Sequence, residues 1–257
     1  MCGIAGFIGQ NNGFPNKSTV KSCLKLMKRR GPDSQSFVGF EEKFKYLFCA
    51  SRLSIIDLKE RSNQPFEDEN GVLIFNGEIY NYIEIKKKLK KEGIKFSTNS
   101  DTEVVSHSLK EWGIEAFKKF EGMWALIWFD KHSKKIIVSR DRFGEKPLFF
   151  IKEKDGIYFS SEIKGIFSLR EKKTSANIAH ISKYLTQGYK SLHKNDETFY
   201  SNVKEFPKGF TYIFDQNGKI TTNNYWKPNI KKKNKYSLKE NCEAVKNLLI
   251  ESVKLRL

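Results

Sequence analysis

An apolar run without polar residues at alternate positions is the feature that most constrains how this chain can fold. Residues 123–129 read MWALIWF. A strand with one face in water alternates apolar and polar residues, whereas a strand covered on both faces does not. The run is also far too short to cross a bilayer. It therefore predicts a β-strand in a sheet that has a packed layer on each side.

The spacing of the β-prone runs predicts antiparallel pairing. A short polar turn joins residues 123–130 to 135–139, and another joins 147–151 to 156–160. Strands with such short connections pair antiparallel, because parallel neighbours need a longer crossover. Further strands are predicted at residues 3–8, 36–40, 44–52 and 72–75. Together with the intervening helices, they indicate an α+β protein built in layers.

Two helices are predicted from capping-box spacing, in which a polar first residue is followed three positions later by glutamate. Residues 81–84 and 100–103 both have this pattern. The first helix is predicted over residues 82–92, with Gly93 ending it, and the second ends near Trp112.

The C-terminal part has a different character. Residues 231–235 read KKKNK, a polar basic linker, and Ser237 with Glu240 starts one more capped helix. Its apolar residues recur at helical spacing and predict a stripe that needs a partner surface: Leu238, Cys242, Val245, Leu249 and Val253. The sequence stops without a glycine or proline, as expected of a helix that opens a further domain.

The charge of the chain raises the alternative of a nucleic-acid or acidic-membrane partner. The chain carries 47 Lys and Arg against 30 Asp and Glu, a formal net charge of +17, and a clustered basic surface attracts phosphate. The lysines are spread along the chain, and no RNA-recognition, zinc-finger or helix-turn-helix signature accompanies them. We therefore predict solvated lysine faces, with no nucleic-acid and no membrane partner.

The cysteines indicate a reducing environment. The four cysteines are widely spaced and include no CxxC pair: Cys2, Cys23, Cys49 and Cys242. This pattern argues against a zinc site and against a disulfide framework. We expect no bound metal and a cytoplasmic location.

Cys2 directly follows the initiator methionine. Removal of Met1 by methionine aminopeptidase would leave a thiol nucleophile and a free α-amine on the same residue. An α-amine titrates near pH ~8 and can accept the thiol proton directly or through water. The alternative is that Cys2 is an ordinary small residue at the start of a strand.

Further segments follow MCGI in a fixed order along the chain. They read RRGPD (29–33), SRLSIID (51–57), NGEIYN (76–81), SDTE (100–103), EGMWALIWFD (121–130), RDRFGEKPLFF (140–150) and FSSEIK (159–164). In this order they closely resemble the glutaminase half of asparagine synthetase-type enzymes. Those are class II glutamine amidotransferases of the N-terminal nucleophile hydrolase group. The resemblance covers residues 2 to about 226.

The resemblance implies a fold and a reaction. The fold is a four-layer αββα sandwich of two antiparallel sheets between helices. Cys2 would attack the side-chain amide of glutamine, releasing ammonia and leaving a thioester that water hydrolyses. Asn76 and Gly77 would supply the donors that stabilise the tetrahedral oxyanion. For these two residues, the alternative is a plain Asn-Gly turn.

The resemblance also implies substrate contacts. Arg52 would hold the α-carboxylate, for which a guanidinium fork is suited, and Glu78 and Asp101 would hold the ammonium. The main-chain groups that line the same pocket would belong to Leu53, Ile55 and Ile56. The alternatives are a solvated arginine, local structure around Glu78, and an aspartate favoured in the first turn of a helix. RGPD (30–33) and RDRFGEKPL (140–148) are expected to support the fold.

The resemblance divides the chain into a glutaminase domain at residues 1–226 and, at 227–257, a basic linker with the first helix of a truncated synthetase domain. Complete enzymes of this type bind ATP and magnesium in the synthetase domain, and its SGGxDS-type loop does not occur in these 257 residues. The chain is expected to bind L-glutamine without a cofactor. It would pass ammonia to the synthetase domain, or to a separate synthetase chain, which by default converts aspartate to asparagine. A non-catalytic basic interaction module, or a scaffold, is the alternative hypothesis.

Overall fold

A computed structural model of the protein describes residues 1–9, 13–41, 45–189, 195–229 and 236–256. The strands are β1 (Gly3–Gly9), β2 (Ser34–Glu41), β3 (Lys45–Arg52), β4 (Phe66–Glu67), β5 (Gly71–Ile79), β6 (Gly122–Asp130), β7 (Ile136–Arg140), β8 (Phe149–Lys152), β9 (Gly156–Ser160), β10 (Lys204–Glu205), β11 (Phe210–Phe214) and β12 (Ile220–Asn224). The helices are α1 (Lys17–Met27), α2 (Tyr82–Lys91), α3 (Asp101–Trp112), α4 (Ala116–Lys119), α5 (Ile163–Arg170), α6 (Ile178–Gln187) and α7 (Leu238–Lys254).

The strands form two six-stranded sheets. The first has the order β10-β8-β9-β1-β3-β2, and the second has the order β12-β11-β7-β6-β5-β4. Neighbouring strands pair antiparallel in both sheets. The pairing of β6 with β7 and of β8 with β9 confirms the two predicted hairpins.

The two sheets pack face to face over an apolar layer, here called the inter-sheet layer. Side chains alternate across a strand, so β1 sends Ile4 and Ile8 into this layer and Phe7 to the opposite face. In the same way β6 contributes Ile127 to the inter-sheet layer and Trp128 to the other side. The apolar run at residues 123–129 is therefore covered on both faces, as its lack of alternation predicted.

Helices cover the outer faces of both sheets. Helices α1 and α5 pack on the first sheet through Cys23, Met27 and Ile166. Helices α2, α3 and α4 pack on the second sheet, where Phe117 stacks on Trp124 with ring centroids 6.0 Å apart. The order of layers is helix, sheet, sheet, helix, which confirms the predicted αββα sandwich.

The predicted capping boxes have different outcomes. Asn81 does not cap α2; its amide instead donates to Lys119 O at 3.0 Å and accepts from Glu121 N at 2.9 Å. The prediction there is wrong because the side chain fastens α2 to the segment before β6. At α3, Ser100 caps Thr102 N at 3.2 Å, but the Glu103 carboxylate accepts from the preceding loop rather than from Ser100.

The C-terminal helix α7 begins with the predicted capping box of Ser237 and Glu240. Residues 231–235 of the predicted linker, and Phe44 of the predicted strand 44–52, lie outside the described residues. The apolar side chains at Leu238, Val245 and Leu249 are all more than half exposed. Across the part of the chain that is described, no helix is long and apolar enough to cross a membrane.

The inter-sheet layer predicts unequal effects of two phenylalanine substitutions. Phe159 is fully buried beside Phe206 and Phe214, whereas Phe37 lies exposed on β2. We expect Phe159→Ala to lower the free energy of unfolding by about 3–5 kcal/mol, and Phe37→Ala by less than about 1 kcal/mol. Urea denaturation measures both. Equal losses would show that the sheets do not pack through Phe159.

Candidate active site

The inter-sheet layer turns polar at one end. Its last apolar members in three strands are Ile4 of β1, Ala50 of β3 and Ile74 of β5. Two residues further, in the same phase of the alternation, come Cys2, Arg52 and Asn76. These three side chains line one cavity together with Glu78 and Asp101. The structure thus brings together residues that are far apart in the sequence.

Cys2 is held on two sides, by the main chain of Leu53 and by the side chain of Arg30. Leu53 N donates to Cys2 Sγ at 3.4 Å, and Sγ lies 3.6 Å from Leu53 O. The guanidinium of Arg30 donates through Nε to Cys2 O at 3.0 Å. Burial raises the pKa of the Cys2 thiol, although the Leu53 amide and Arg52 act in the opposite direction. The thiol is therefore protonated at neutral pH and needs a base to become a nucleophile.

Asn76 and Gly77 lie inside β5, where they pair with Ala125 and Trp124 of β6. The turn considered as an alternative is therefore wrong, because long-range pairing with β6 extends the strand through both residues. A Cβ on Gly77 would lie 2.3 Å from Met123 O. Only glycine allows β6 to approach this closely.

The main-chain N–H of Gly77 points away from β6. Both main-chain groups of Trp124, which stands opposite Gly77, turn towards Asp141: Trp124 N donates to Asp141 Oδ2 at 3.3 Å, and Trp124 O accepts from Asp141 N at 2.8 Å. Gly77 and Trp124 are therefore a pair without mutual hydrogen bonds. On its other side β5 pairs with β4 only as far as Leu73.

Beyond Leu73, side chains accept hydrogen bonds from the main-chain amides of β5. Phe75 N donates to Gln64 Oε1 at 2.7 Å, and Ile79 N donates to Asp101 Oδ2 at 3.1 Å. The N–H of Gly77 lies between these two, in the same phase, where Gly77 lines the cavity. It is in position to donate to a ligand.

Asn76 supplies a second donor at the same place. Its side chain is buried, and among the described residues its Nδ2 has no hydrogen-bond partner. An unsatisfied buried donor costs about 1–3 kcal/mol. The cost disappears when an acceptor enters the cavity. Two donors from adjacent residues of one strand form the arrangement that stabilises an oxyanion.

One wall of the cavity is acidic. Asp101 is the first residue of α3 and is 5% exposed, while Glu78 is partly buried on β5. Burial raises the pKa of Asp101 to about 6, and the neighbouring charge of Glu78 acts in the same direction. A cation bound between the two carboxyl groups would relieve both effects. This wall therefore suits an ammonium group.

Arg52 has a larger structural role than the sequence predicted. Four of its five N–H groups are donated to the following loop, to the acceptors Ile56 O (3.1 Å), Asp57 O (2.6 Å), Lys59 O (3.3 Å) and Asn63 Oδ1 (3.0 Å). The fork thus shapes the loop. Among the described residues its Nε–H has no partner, so this donor and the positive charge remain for a carboxylate. The loop lines the cavity through Leu53, Ile55 and Ile56.

Sequence reasoning missed several cavity-lining residues, among them Gln64 and Lys146. Gln64 is buried and holds the edge of β5, and Lys146 is only 6% exposed. Within the described ranges, the Lys146 ammonium forms no ion pair. The RDRFGEKPL segment does support a turn, as predicted, since the Asp141 carboxylate accepts from Lys146 N at 3.0 Å. No local pattern indicated that Lys146 would line the cavity.

The RGPD segment has the supporting role predicted for it. Besides the contact of Arg30 with Cys2, the carboxylate of Asp33 accepts from Ser54 N at 2.7 Å. Both side chains therefore fix main-chain segments beside Cys2.

Comparisons with known proteins identify the family. A family model described as a glutamine amidotransferase domain matches residues 1–226. Asparagine synthetase (glutamine-hydrolyzing) 1 of Bacillus subtilis is 35% identical over 238 residues, which are 89% of this chain and 36% of that protein. A putative asparagine synthetase (glutamine-hydrolyzing) 2 of Methanocaldococcus jannaschii is 32% identical and is matched over 100% of this chain and 52% of its own length. The chain thus spans between about a third and about half of these relatives.

Solved structures show the same fold. The glutamine phosphoribosylpyrophosphate amidotransferase of B. subtilis superposes with a TM-score of 0.63 at 18% sequence identity. The superposition covers 88% of this chain and 49% of that chain.

The raised pKa of Asp101 predicts how stability depends on pH. The carboxyl titrates at 3.8 when unfolded and at about 6 when folded, so between these values the folded protein binds more protons. Protonation of Asp101 therefore stabilises the fold below pH 3.8, and this contribution is lost as the pH rises through 6. The loss is about 3 kcal/mol for a shift of this size.

We expect Asp101→Asn to remove this loss. Relative to the variant, the wild type should become less stable between pH 4 and pH 7.5, by up to about 3 kcal/mol. Urea denaturation at the two pH values measures the difference, and Glu69→Gln, at an exposed site, controls for one lost charge. If the free energy of unfolding changed with pH in the same way for wild type and Asp101→Asn, the raised pKa of Asp101 would be contradicted.

Proposed function

The chain belongs to the class II glutamine amidotransferase family, and we propose that residues 1–226 hydrolyse L-glutamine to glutamate and ammonia with Cys2 as the nucleophile. One observation carries the proposal. Cys2 shares a cavity with two donors of β5, a pair of carboxyl groups and a guanidinium. This set supports the proposal, because a thiol, two hydrogen-bond donors, two carboxyl groups and a guanidinium are the groups that hydrolysis of an amino-acid amide would require.

Glutamine fits the charges of this cavity. Its ammonium would lie between Glu78 and Asp101, and its α-carboxylate would lie near Arg52 and the loop of Leu53, Ile55 and Ile56. The side-chain amide would then extend towards Cys2. A zwitterion satisfies both walls at once, whereas a simple amide lacking the α-groups would satisfy neither.

Removal of Met1 supplies the base that the buried thiol needs. The freed α-amine of Cys2 takes the thiol proton, and Sγ attacks the amide carbon of the substrate. The oxyanion that forms accepts hydrogen bonds from Asn76 Nδ2 and Gly77 N. The amine then returns the proton to the leaving nitrogen, ammonia departs, and a thioester remains on Cys2.

Hydrolysis of the thioester completes the cycle. The α-amine takes a proton from water, and the hydroxide oxygen attacks the acyl carbon. The same two donors stabilise the second oxyanion. Collapse of this intermediate breaks the C–S bond, glutamate forms, and Sγ regains its proton.

The relatives suggest where the ammonia goes. We propose that it passes to an ATP-dependent synthetase domain, or to a separate synthetase chain, and that aspartate is the default acceptor. In this proposal residues 227–257 form a linker and the opening helix of such a domain. Glutamine hydrolysis would need no cofactor, ATP and magnesium belonging to the synthetase part. A reducing, cytoplasmic location suits the free thiol of Cys2.

Cys2→Ala should abolish glutamate formation, because it replaces the proposed nucleophile by a methyl group that cannot form the thioester. Glutamate release from glutamine is the measurement, with intact-mass analysis to show that Met1 has been removed. Cys242→Ala is the matched control, since Cys242 is exposed on α7. Activity that survives Cys2→Ala, or wild-type protein that stays inactive after removal of Met1, would refute the proposal.

Asn76→Ala should lower kcat for glutamine hydrolysis by about 10²- to 10³-fold with little change in KM, because it removes one oxyanion donor. Steady-state kinetics measure this effect. The variant should keep its stability, since the deleted Nδ2 has no partner among the described residues. Asn217→Ala, in an exposed turn, should leave kcat unchanged. A pure KM effect would place Asn76 in substrate binding instead.

A further inference from the structure

Asp57 does not line the cavity, but it connects the wall formed by Arg52 with the wall formed by Asp101. Its main-chain oxygen accepts from Arg52 Nη2 at 2.6 Å. Its own conformation is left-handed, with φ 51°, and its side chain is only 4% exposed. A buried carboxylate at such a position needs several hydrogen bonds to offset its lost hydration.

The carboxylate of Asp57 reaches the segment that leads into α3. Its Oδ2 accepts from Asn99 N at 2.8 Å and from two nitrogens of Arg61 at 3.1 and 3.0 Å, while Oδ1 accepts from Lys59 N at 3.2 Å. Asn99 lies two residues before Asp101. The bond to Asn99, the largest of these effects, lowers the pKa of Asp57 to about 2. The Asp57 carboxylate, which bridges to Asn99, is therefore ionised at neutral pH.

We propose that Asp57 is a positioning residue that sets the separation between Arg52 and Asp101, an inference that rests on the proposed glutamine hydrolysis. The ammonium and carboxylate of glutamine sit on one carbon atom, so the two groups that hold them must keep a fixed spacing. Asp57 contacts Arg52 through its main chain and fastens the start of α3 through its side chain. A single residue thus fixes the position of Arg52 relative to Asp101.

Three substitutions separate the bridge from the backbone conformation. Asp57→Asn keeps an oxygen for Asn99 N and tolerates positive φ. Asp57→Gly removes the bridge and also tolerates positive φ. Asp57→Ala removes the bridge and strains the backbone. We expect Asp57→Gly and Asp57→Ala to raise KM for glutamine by about tenfold or more, with kcat changed less than about threefold. The reason is that Arg52 and Asp101 would no longer both meet the charged groups of one glutamine molecule. Asp57→Asn should restore KM to within about threefold of the wild type.

Arg61→Gln is the matched control. Arg61 is partly exposed and pairs with the Asp57 oxygen that also accepts from Asn99 N. Among the described residues it forms no hydrogen bond with Arg52 or with α3. Its loss removes an ion pair while leaving the bond from Asn99 N. KM should stay within about twofold of the wild-type value, as expected of a surface pair.

Labelling of Cys2 separates failure of this inference from failure of the proposed function. Rates are compared for a chloromethyl ketone shaped like glutamine and for iodoacetamide, which needs only the thiol. The wild type should prefer the glutamine-shaped reagent, and Asp57→Gly should lose that preference while keeping its iodoacetamide rate. A wild type without preference refutes glutamine binding itself.

Three other results overturn the positioning role alone. The first is a wild-type preference that Asp57→Gly retains. The second is an effect confined to Asp57→Ala, which would be backbone strain. The third is an equal loss of both labelling rates in Asp57→Gly, which would mean general collapse of the cavity.

Discussion

Side-chain alternation across two antiparallel sheets determines where the other parts of this molecule lie. It divides β1, β3 and β5 into residues that face the inter-sheet layer and residues that face helices. Along the inward phase the apolar residues stop at one end, and Cys2, Arg52 and Asn76 take their place. Core and candidate site are thus the same layer at two ends. The site inherits the rigidity of the core because both use the same strands.

The polar end carries two groups whose surroundings are unfavourable when no ligand is bound. Asn76 has a buried donor without a partner among the described residues, and Asp101 is a buried acid whose charged form is disfavoured. Both reduce stability in the absence of a ligand. On the other face of β5, Leu73 and Ile79 pack in an apolar layer with Phe117 and Trp124, and this burial offsets the reduction. Stability and ligand recognition are therefore assigned to opposite faces of the same strand.

The sequence predicted the layers, the antiparallel pairing and the family, because periodicity and an ordered set of motifs are local or cumulative signals. It did not settle Asn76 and Gly77, whose strand conformation depends on β6, nor Asn81, whose side chain binds the segment before β6. The positions of Gln64, Asp57 and Lys146 were also unforeseen. Their partners belong to segments that come together only in the folded chain, so no spacing rule indicates them. The roles in substrate binding and catalysis remain predictions from resemblance.

The loop after β3 contributes to the cavity largely through its backbone. Leu53 meets Cys2 with its N–H and C=O, and Arg52 is bound by the carbonyl oxygens of Ile56, Asp57 and Lys59. Ile55 and Leu58 point substantially into solvent. Natural selection can therefore replace several of these side chains without changing the surface that a ligand meets. As related proteins diverge, the backbone conformation of this loop should change less than its amino-acid sequence.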